Sequence, residues 1–147
     1  LADHTDLEAY CADWRNSPPQ FGHKQSLLRA VAAIARRLHR GGVCHRDFYL
    51  CHFLRPNSAG EALPISLIDL HRAMIKPQLG MRWKIKDLAG LYFSAMDIGL
   101  TRRDLLRFVS LYSGQPWRQA LCSETVFWKK VSARAEKMYR KHNPQQC

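Results

Sequence analysis

The sequence predicts a mainly α-helical domain with one small β-hairpin, and three observations carry that expectation. Leu27, Leu28, Val31, Ile34 and Leu38 form an apolar stripe at helical spacing, with Lys24, Arg29, Arg36, Arg37 and Arg40 on other faces or at the ends. From Asp87 to Met96 a broader apolar face, including Leu88, Leu91, Tyr92 and Ala95, is expected of a buried helix. Between them Pro56-Asn57-Ser58-Ala59-Gly60 is turn chemistry, flanked by Phe53 and Leu54 before it and by Ile65, Leu67 and Ile68 after it, as a hairpin requires.

The remaining elements follow in chain order. Thr5 followed by Glu8 is a capping-box pattern, and Leu7, Tyr10, Cys11 and Trp14 recur at helical spacing, which predicts a short helix from about Asp6 to Trp14, ended by Pro18-Pro19. Gly41-Gly42 closes the helix that bears the first stripe, because glycine takes the left-handed conformation without a side-chain clash. From Val43 to Leu54 no helical period survives, and His45, Arg46, Asp47, Tyr49 and His52 crowd the stretch, as in a functional loop. Thr101 and Asp104 offer a second capping box ahead of Leu105, Phe108, Val109 and Tyr112, and Phe127, Val131, Ala135 and Met138 mark a last helix.

Composition narrows the classes. A chain of 147 residues has room for one core, and 46% hydrophobic with 24% charged residues describes a folding sequence rather than a disordered tail. The best apolar run, Leu88 to Leu100, is interrupted by Ser94 and Asp97 and falls short of the roughly 18 residues of a spanning helix. Cysteines at 11, 44, 51, 122 and 147 are odd in number and contain no CxxC pair, which suits free thiols in a reducing cytoplasm. The net charge is +11, yet the first 23 residues hold Asp3, Asp6, Glu8 and Asp13 against Arg15 alone, so the cationic surface lies downstream. Such a surface draws phosphate-rich or acidic partners. Nucleic acid is disfavoured, since no helix-turn-helix, RNP or finger signature accompanies the charge.

His45-Arg46-Asp47 gains meaning from its setting. It follows an amphipathic helix and a glycine break, and the hairpin after it delivers the aspartate of Ile68-Asp69-Leu70. This order resembles the catalytic lobe of protein-kinase-like folds, in which an HRD loop and a metal-binding aspartate flank a small hairpin. The longer segments HRDFYLCHFL, LIDLHRA, RWKIKDLAGLYFSAMDIGLTRRDLLRF and LEAYCADW resemble the lipopolysaccharide core heptose kinases over nearly the whole chain.

That resemblance implies the C-terminal, helical lobe of a kinase-like fold, with ATP and Mg²⁺ as cofactors and a lipopolysaccharide core precursor as acceptor. It places the protein in the cytoplasm, peripheral at the anionic inner membrane. The chemistry needs two carboxylates in different employment: Asp47 to orient the acceptor hydroxyl and take its proton, and Asp69 to hold a hard, oxygen-seeking metal ion. His52 stands where typical kinases place asparagine; imidazole is a poor magnesium ligand, so His52 is expected to bond Asp47, a phosphate or a nearby carbonyl. His45, Arg46 and Asp87 are structural support, with Asp87 resembling the aspartate that braces the HRD loop. Arg72, Lys76, Arg82, Lys84 and Lys86 lie between the metal aspartate and the buried helix and are the expected acceptor surface. No glycine-rich phosphate loop precedes Leu1, so residues 1–147 are expected to be one kinase C-lobe without its nucleotide-binding N-lobe, weak or inactive alone. Two rivals remain. One is a basic, non-catalytic module that binds an acidic protein or other polyanion. The other is a zinc site from Cys44, His45, Cys51 and His52 with His39 and His71 near, although their spacing matches no common zinc arrangement.

Overall fold

The computed structural model describes residues 3–59 and 64–143, so Leu1, the turn glycine Gly60 and Cys147 lie outside the described residues. The elements run β1 (His4–Asp6), α1 (Leu7–Cys11), α2 (Phe21–Arg40), β2 (Val43–Cys44), β3 (Phe53–Pro56), β4 (Ser66–Leu67), β5 (Met74–Ile75), α3 (Met81–Ala95), α4 (Arg102–Ser113), α5 (Trp117–Ser123) and α6 (Thr125–His142). Helix α3 lies along α6 and α2 along α4, so the two predicted apolar stripes meet inside one helical layer. Leu27, Val31, Leu88, Leu91, Val109, Trp128 and Val131 share that core. The predicted helical architecture is the one observed.

The hairpin forms where the turn chemistry placed it. Strand β3 pairs antiparallel with β4, Phe53 opposite Leu67 and Leu54 opposite Ser66. Strand β1 adds to the other edge of β3, His4 opposite Pro56 and Asp6 opposite Leu54. This extra strand corrects the first predicted helix. Thr5 belongs to β1 and bonds Asn57, Asp6 is the N-cap that accepts from the Ala9 N–H at 2.9 Å, and α1 ends at Cys11 rather than at Trp14. A local capping pattern lost to a pairing partner some fifty residues away.

Two further elements escaped the periodicity. Helix α5 is short, and β2 and β5 form a two-residue ladder, Val43 opposite Ile75 and Cys44 opposite Met74. That ladder explains the glycine pair after α2. Gly41 ends the helix near ordinary geometry, whereas Gly42 has φ +82, and a β-carbon there would lie 1.9 Å from the Lys76 carbonyl oxygen. Only glycine allows the chain to turn and touch that close. The second capping box is present in both directions between Thr101 and Asp104. Asp104 is fully buried and also binds Lys24 Nζ at 2.8 Å, which ties the start of α4 to α2.

Candidate active site

The loop after β2 is built on one carboxylate. Asp87 lies in the second turn of α3, not at its start, because the helix already begins at Met81. At 1% exposure it accepts three N–H groups: Oδ2 from the His45 backbone and from His39 Nε2, and Oδ1 from the Arg46 backbone, each at 2.9 Å. Burial alone would raise its pKa, but the hydrogen bonds from His39, His45 and Arg46 outweigh it and hold the carboxyl below the ordinary range. Arg46 has φ +76, a left-handed conformation that costs a non-glycine residue about 1–3 kcal/mol and persists only where its surroundings enforce it. Asp87 supplies that enforcement by holding the Arg46 amide and the amide before it, while the Asp47 amide is held by His45 Nδ1.

His45 joins this loop to the next. Its ring is fully buried, Nε2–H donates to the Ile68 carbonyl at 2.8 Å, and Nδ1 accepts the Asp47 N–H at 3.3 Å. The residue before Asp69 is therefore fixed to the residue before Arg46. Asp69 itself has φ +62, and with Arg46 it makes up the non-glycine residues at positive φ among the described residues. Both lie at or beside the two carboxylates singled out in the sequence.

His52 closes the arrangement. Its Nδ1–H donates to the Asp47 carbonyl at 2.6 Å, and its Nε2 lies 3.2 Å from Asp69 Oδ2, so one imidazole spans the main chain of one aspartate and the side chain of the other. A carbonyl only accepts, so a proton on Nδ1 faces Asp47 while Nε2 faces the Asp69 carboxylate. His71 Nδ1 bonds the other oxygen of Asp69. Arg72 reaches back to Asp47, Nη1 to Oδ1 at 2.7 Å.

The expected acceptor residues divide in the fold. Arg72 joins Asp47, while Lys76 and Arg82 lie over the Trp83 ring at 5.7 and 4.4 Å from its centroid. Lys84 lines another cleft, with Tyr112, Glu124 and Phe127. Lys86 is partly buried, near enough to Cys44 to act on its thiol.

Sequence reasoning missed three supports. His39 was weighed only as a metal ligand, but Nε2 binds Asp87 and Nδ1 meets the Tyr112 hydroxyl at 2.7 Å. Ser94, an interruption in the apolar run, accepts the Leu50 N–H at 3.0 Å and so fixes the turn that carries His52. Gly90 lets α3 approach the loop: a β-carbon there would stand 3.1 Å from the Tyr49 ring and 3.3 Å from the Phe48 carbonyl. A polar residue within an apolar helix face was the available signal for Ser94.

The donor set bears on metals. Among the described residues no group of three or more His, Cys, Asp or Glu is arranged to hold a metal ion, which removes the zinc arrangement from them. Burial pushes the thiols of Cys11 and Cys44 up to about 12, so neither offers a ready thiolate. Asp69 is a single hard carboxylate with a 38% exposed side chain, and each of its oxygens keeps a lone pair beyond its histidine partner. That suits magnesium delivered with phosphate oxygens and water, and not a cage made of protein alone.

The sequence is 47% identical over 141 residues to the lipopolysaccharide core heptose(I) kinase WaaP of Escherichia coli K12, covering 94% of this chain and 53% of that protein. The Pseudomonas aeruginosa protein of the same name is 47% identical over 145 residues, 96% of this chain and 54% of its own length. A solved structure described as WaaP in complex with acyl carrier protein superposes with a TM-score of 0.85 at 46% identity, over 95% of this chain and 59% of that one. The chain thus spans about half the length of the curated relatives it matches. The helical, kinase-like fold expected from the sequence is shared with a solved WaaP. With residues 1–112 matching the family model as well, the chain belongs to the lipopolysaccharide kinase (Kdo/WaaP) family.

Proposed function

We propose that this chain carries the catalytic loop of an ATP-dependent kinase that phosphorylates a heptose hydroxyl in the inner core of lipopolysaccharide, at the cytoplasmic face of the inner membrane. The observation that carries the reading is His52, whose single ring ties Asp47 to Asp69 and so sets a proton acceptor beside a cation-binding carboxylate. The names of the relatives support the sugar acceptor. Among the described residues no helix is long and apolar enough to cross a membrane.

Each residue then has a task. Arg72 holds Asp47 Oδ1, which leaves the second oxygen to face the acceptor hydroxyl. As that hydroxyl oxygen bonds the γ-phosphorus and the bond to the bridging oxygen breaks, Asp47 takes the hydroxyl proton. Asp69 would hold Mg²⁺, which when bound neutralises phosphate charge. His45, braced by Asp87, keeps the two loops at a fixed spacing, because phosphoryl transfer depends on positioning more than on covalent chemistry by the protein. Lys76 and Arg82, over the Trp83 ring, would offer cations to an acidic acceptor.

A second role is favoured by a cavity of about 170 Å³ with apolar walls from Leu27, Val31, Leu88, Leu91, Phe108 and Val131. We propose that the chain also docks an acyl carrier protein, as the solved WaaP does, and that the cavity receives the acyl chain. One experiment separates the roles. In the intact natural protein Asp47→Asn should lower kcat for ATP-dependent phosphorylation of deacylated lipopolysaccharide by about 10²–10⁴-fold while leaving acyl carrier protein binding unchanged. Retained turnover would remove Asp47 from catalysis.

A further inference from the structure

We propose that Tyr112 is a positioning residue for phosphotransfer: its hydroxyl, donating to Nδ1 of His39, holds in place the imidazole through which His39 braces Asp87 and hence the backbone of the loop carrying Asp47. The proposal rests on the phosphotransfer reading above.

The direction of each bond follows from the groups. Asp87 accepts the His45 and Arg46 amides, and its Oδ2 also faces His39 Nε2 at 2.9 Å, so Nε2 carries the proton. Nδ1 is then a lone pair inside a residue only 3% exposed, where an unmatched acceptor is costly. Tyr112 Oη stands 2.7 Å from it and supplies the donor. Without that donor the Asp87 carboxylate still keeps the proton on Nε2, but Nδ1 is left as a buried acceptor, and the ring tilts away from Asp87 to find a partner for it. Tyr112 is well placed to act this way. Its ring stacks against Phe108 at 6.2 Å and Phe127 at 6.4 Å and meets the edges of Trp128 and His39, so the hydroxyl has little freedom to turn away. Burial, with Asp87 and Glu124 nearby, pushes the hydroxyl pKa up and keeps the proton on the oxygen. Tyr112 lies on α4, His39 on α2 and Asp87 on α3, so the packing of three helices is relayed to one loop.

Tyr112→Phe in the intact natural protein keeps the ring and its stacking and deletes the donor. The ¹⁵N signal of His39 Nδ1 should move toward that of an unbonded ring nitrogen while Nε2 keeps its proton, and amide exchange at His45 and Arg46 should quicken while that of α4 does not. In the heptose phosphorylation assay kcat should fall about five- to tenfold with both KM values unchanged. In a His39→Gln background, where an amide donates to Asp87 whatever Tyr112 does, Tyr112→Phe should have no further effect. Unchanged ring signals and loop exchange would overturn the proposal, as would faster exchange throughout α4 or additive losses in the double variant. If the wild-type protein shows no turnover, the phosphotransfer reading fails, while the ring signals and loop exchange still decide the role of Tyr112.

Discussion

Asp87 and Asp69 are both carboxylates held by histidine, and the difference between their surroundings separates scaffold from site. Asp87 is buried, and the three N–H groups it accepts include two from the backbone. Asp69 is more than one-third exposed in its side chain and meets two histidine side chains, one of which, His71, is 67% exposed itself. A carboxylate bound by buried backbone amides cannot exchange partners without breaking the loop. One held nearer the surface by histidine side chains can trade them for a cation. The contrast accounts for the conformational cost as well, since the left-handed Arg46 is enforced from beneath while the left-handed Asp69 aims a carboxylate outward.

The largest effect that would break the contrast is at the buried member. Asp87→Ala leaves the His45 and Arg46 amides and His39 Nε2 without an acceptor, and should cost about 3–5 kcal/mol in denaturant unfolding, as removal of one member of a buried charged network does. A loss under about 1 kcal/mol would make Asp87 no more than a helix residue. An intermediate effect is expected from acid. The pKa values of Asp87 and Asp104 are both held below normal, in each case because hydrogen bonds outweigh burial, so their contribution is present above the ordinary carboxylate pKa of about 4 and is lost as pH falls through the lower folded value. The urea midpoint should therefore drop on acidification below about pH 4, and the drop should shrink in Asp104→Asn. The smallest effect belongs to the exposed member. His71→Ala should change stability by less than about 0.5 kcal/mol, because the ring is largely in water and Asp69 keeps His52. A larger destabilisation would show that the Asp69 side is as much a scaffold as the Asp87 side.

Much of the helical frame was legible because it is written in local periodicity. The stripe from Leu27 to Leu38, the buried face after Asp87 and the Thr101–Asp104 box each need only neighbours in sequence. The hairpin was legible through its turn. What stayed hidden depends on distant partners: β1 exists because β3 runs beside it, and the β2–β5 ladder is two residues long, below what any period can report. The candidate carboxylates were visible as a motif, but their linkage through His52 was not, since Asp69 was not among the partners expected of His52 and the fold gives it both the Asp47 carbonyl and the Asp69 side chain. Tyr112 looked like one more apolar position on α4, and nothing local marks the hydroxyl as the partner of a histidine 73 residues earlier.

The β2–β5 ladder has a consequence for heredity. The stretch holding Asp69, His71 and Arg72 is pinned before its start by the bond from His45 to Ile68 and at its end by Lys76 N–H on the Gly42 carbonyl. Between those pins the number of residues matters as much as their identity. One residue gained or lost would shift the ladder register and present opposite faces of the segment, carrying Arg72 away from Asp47. Side chains there other than Asp69 and Arg72 can drift under selection while the segment keeps its length.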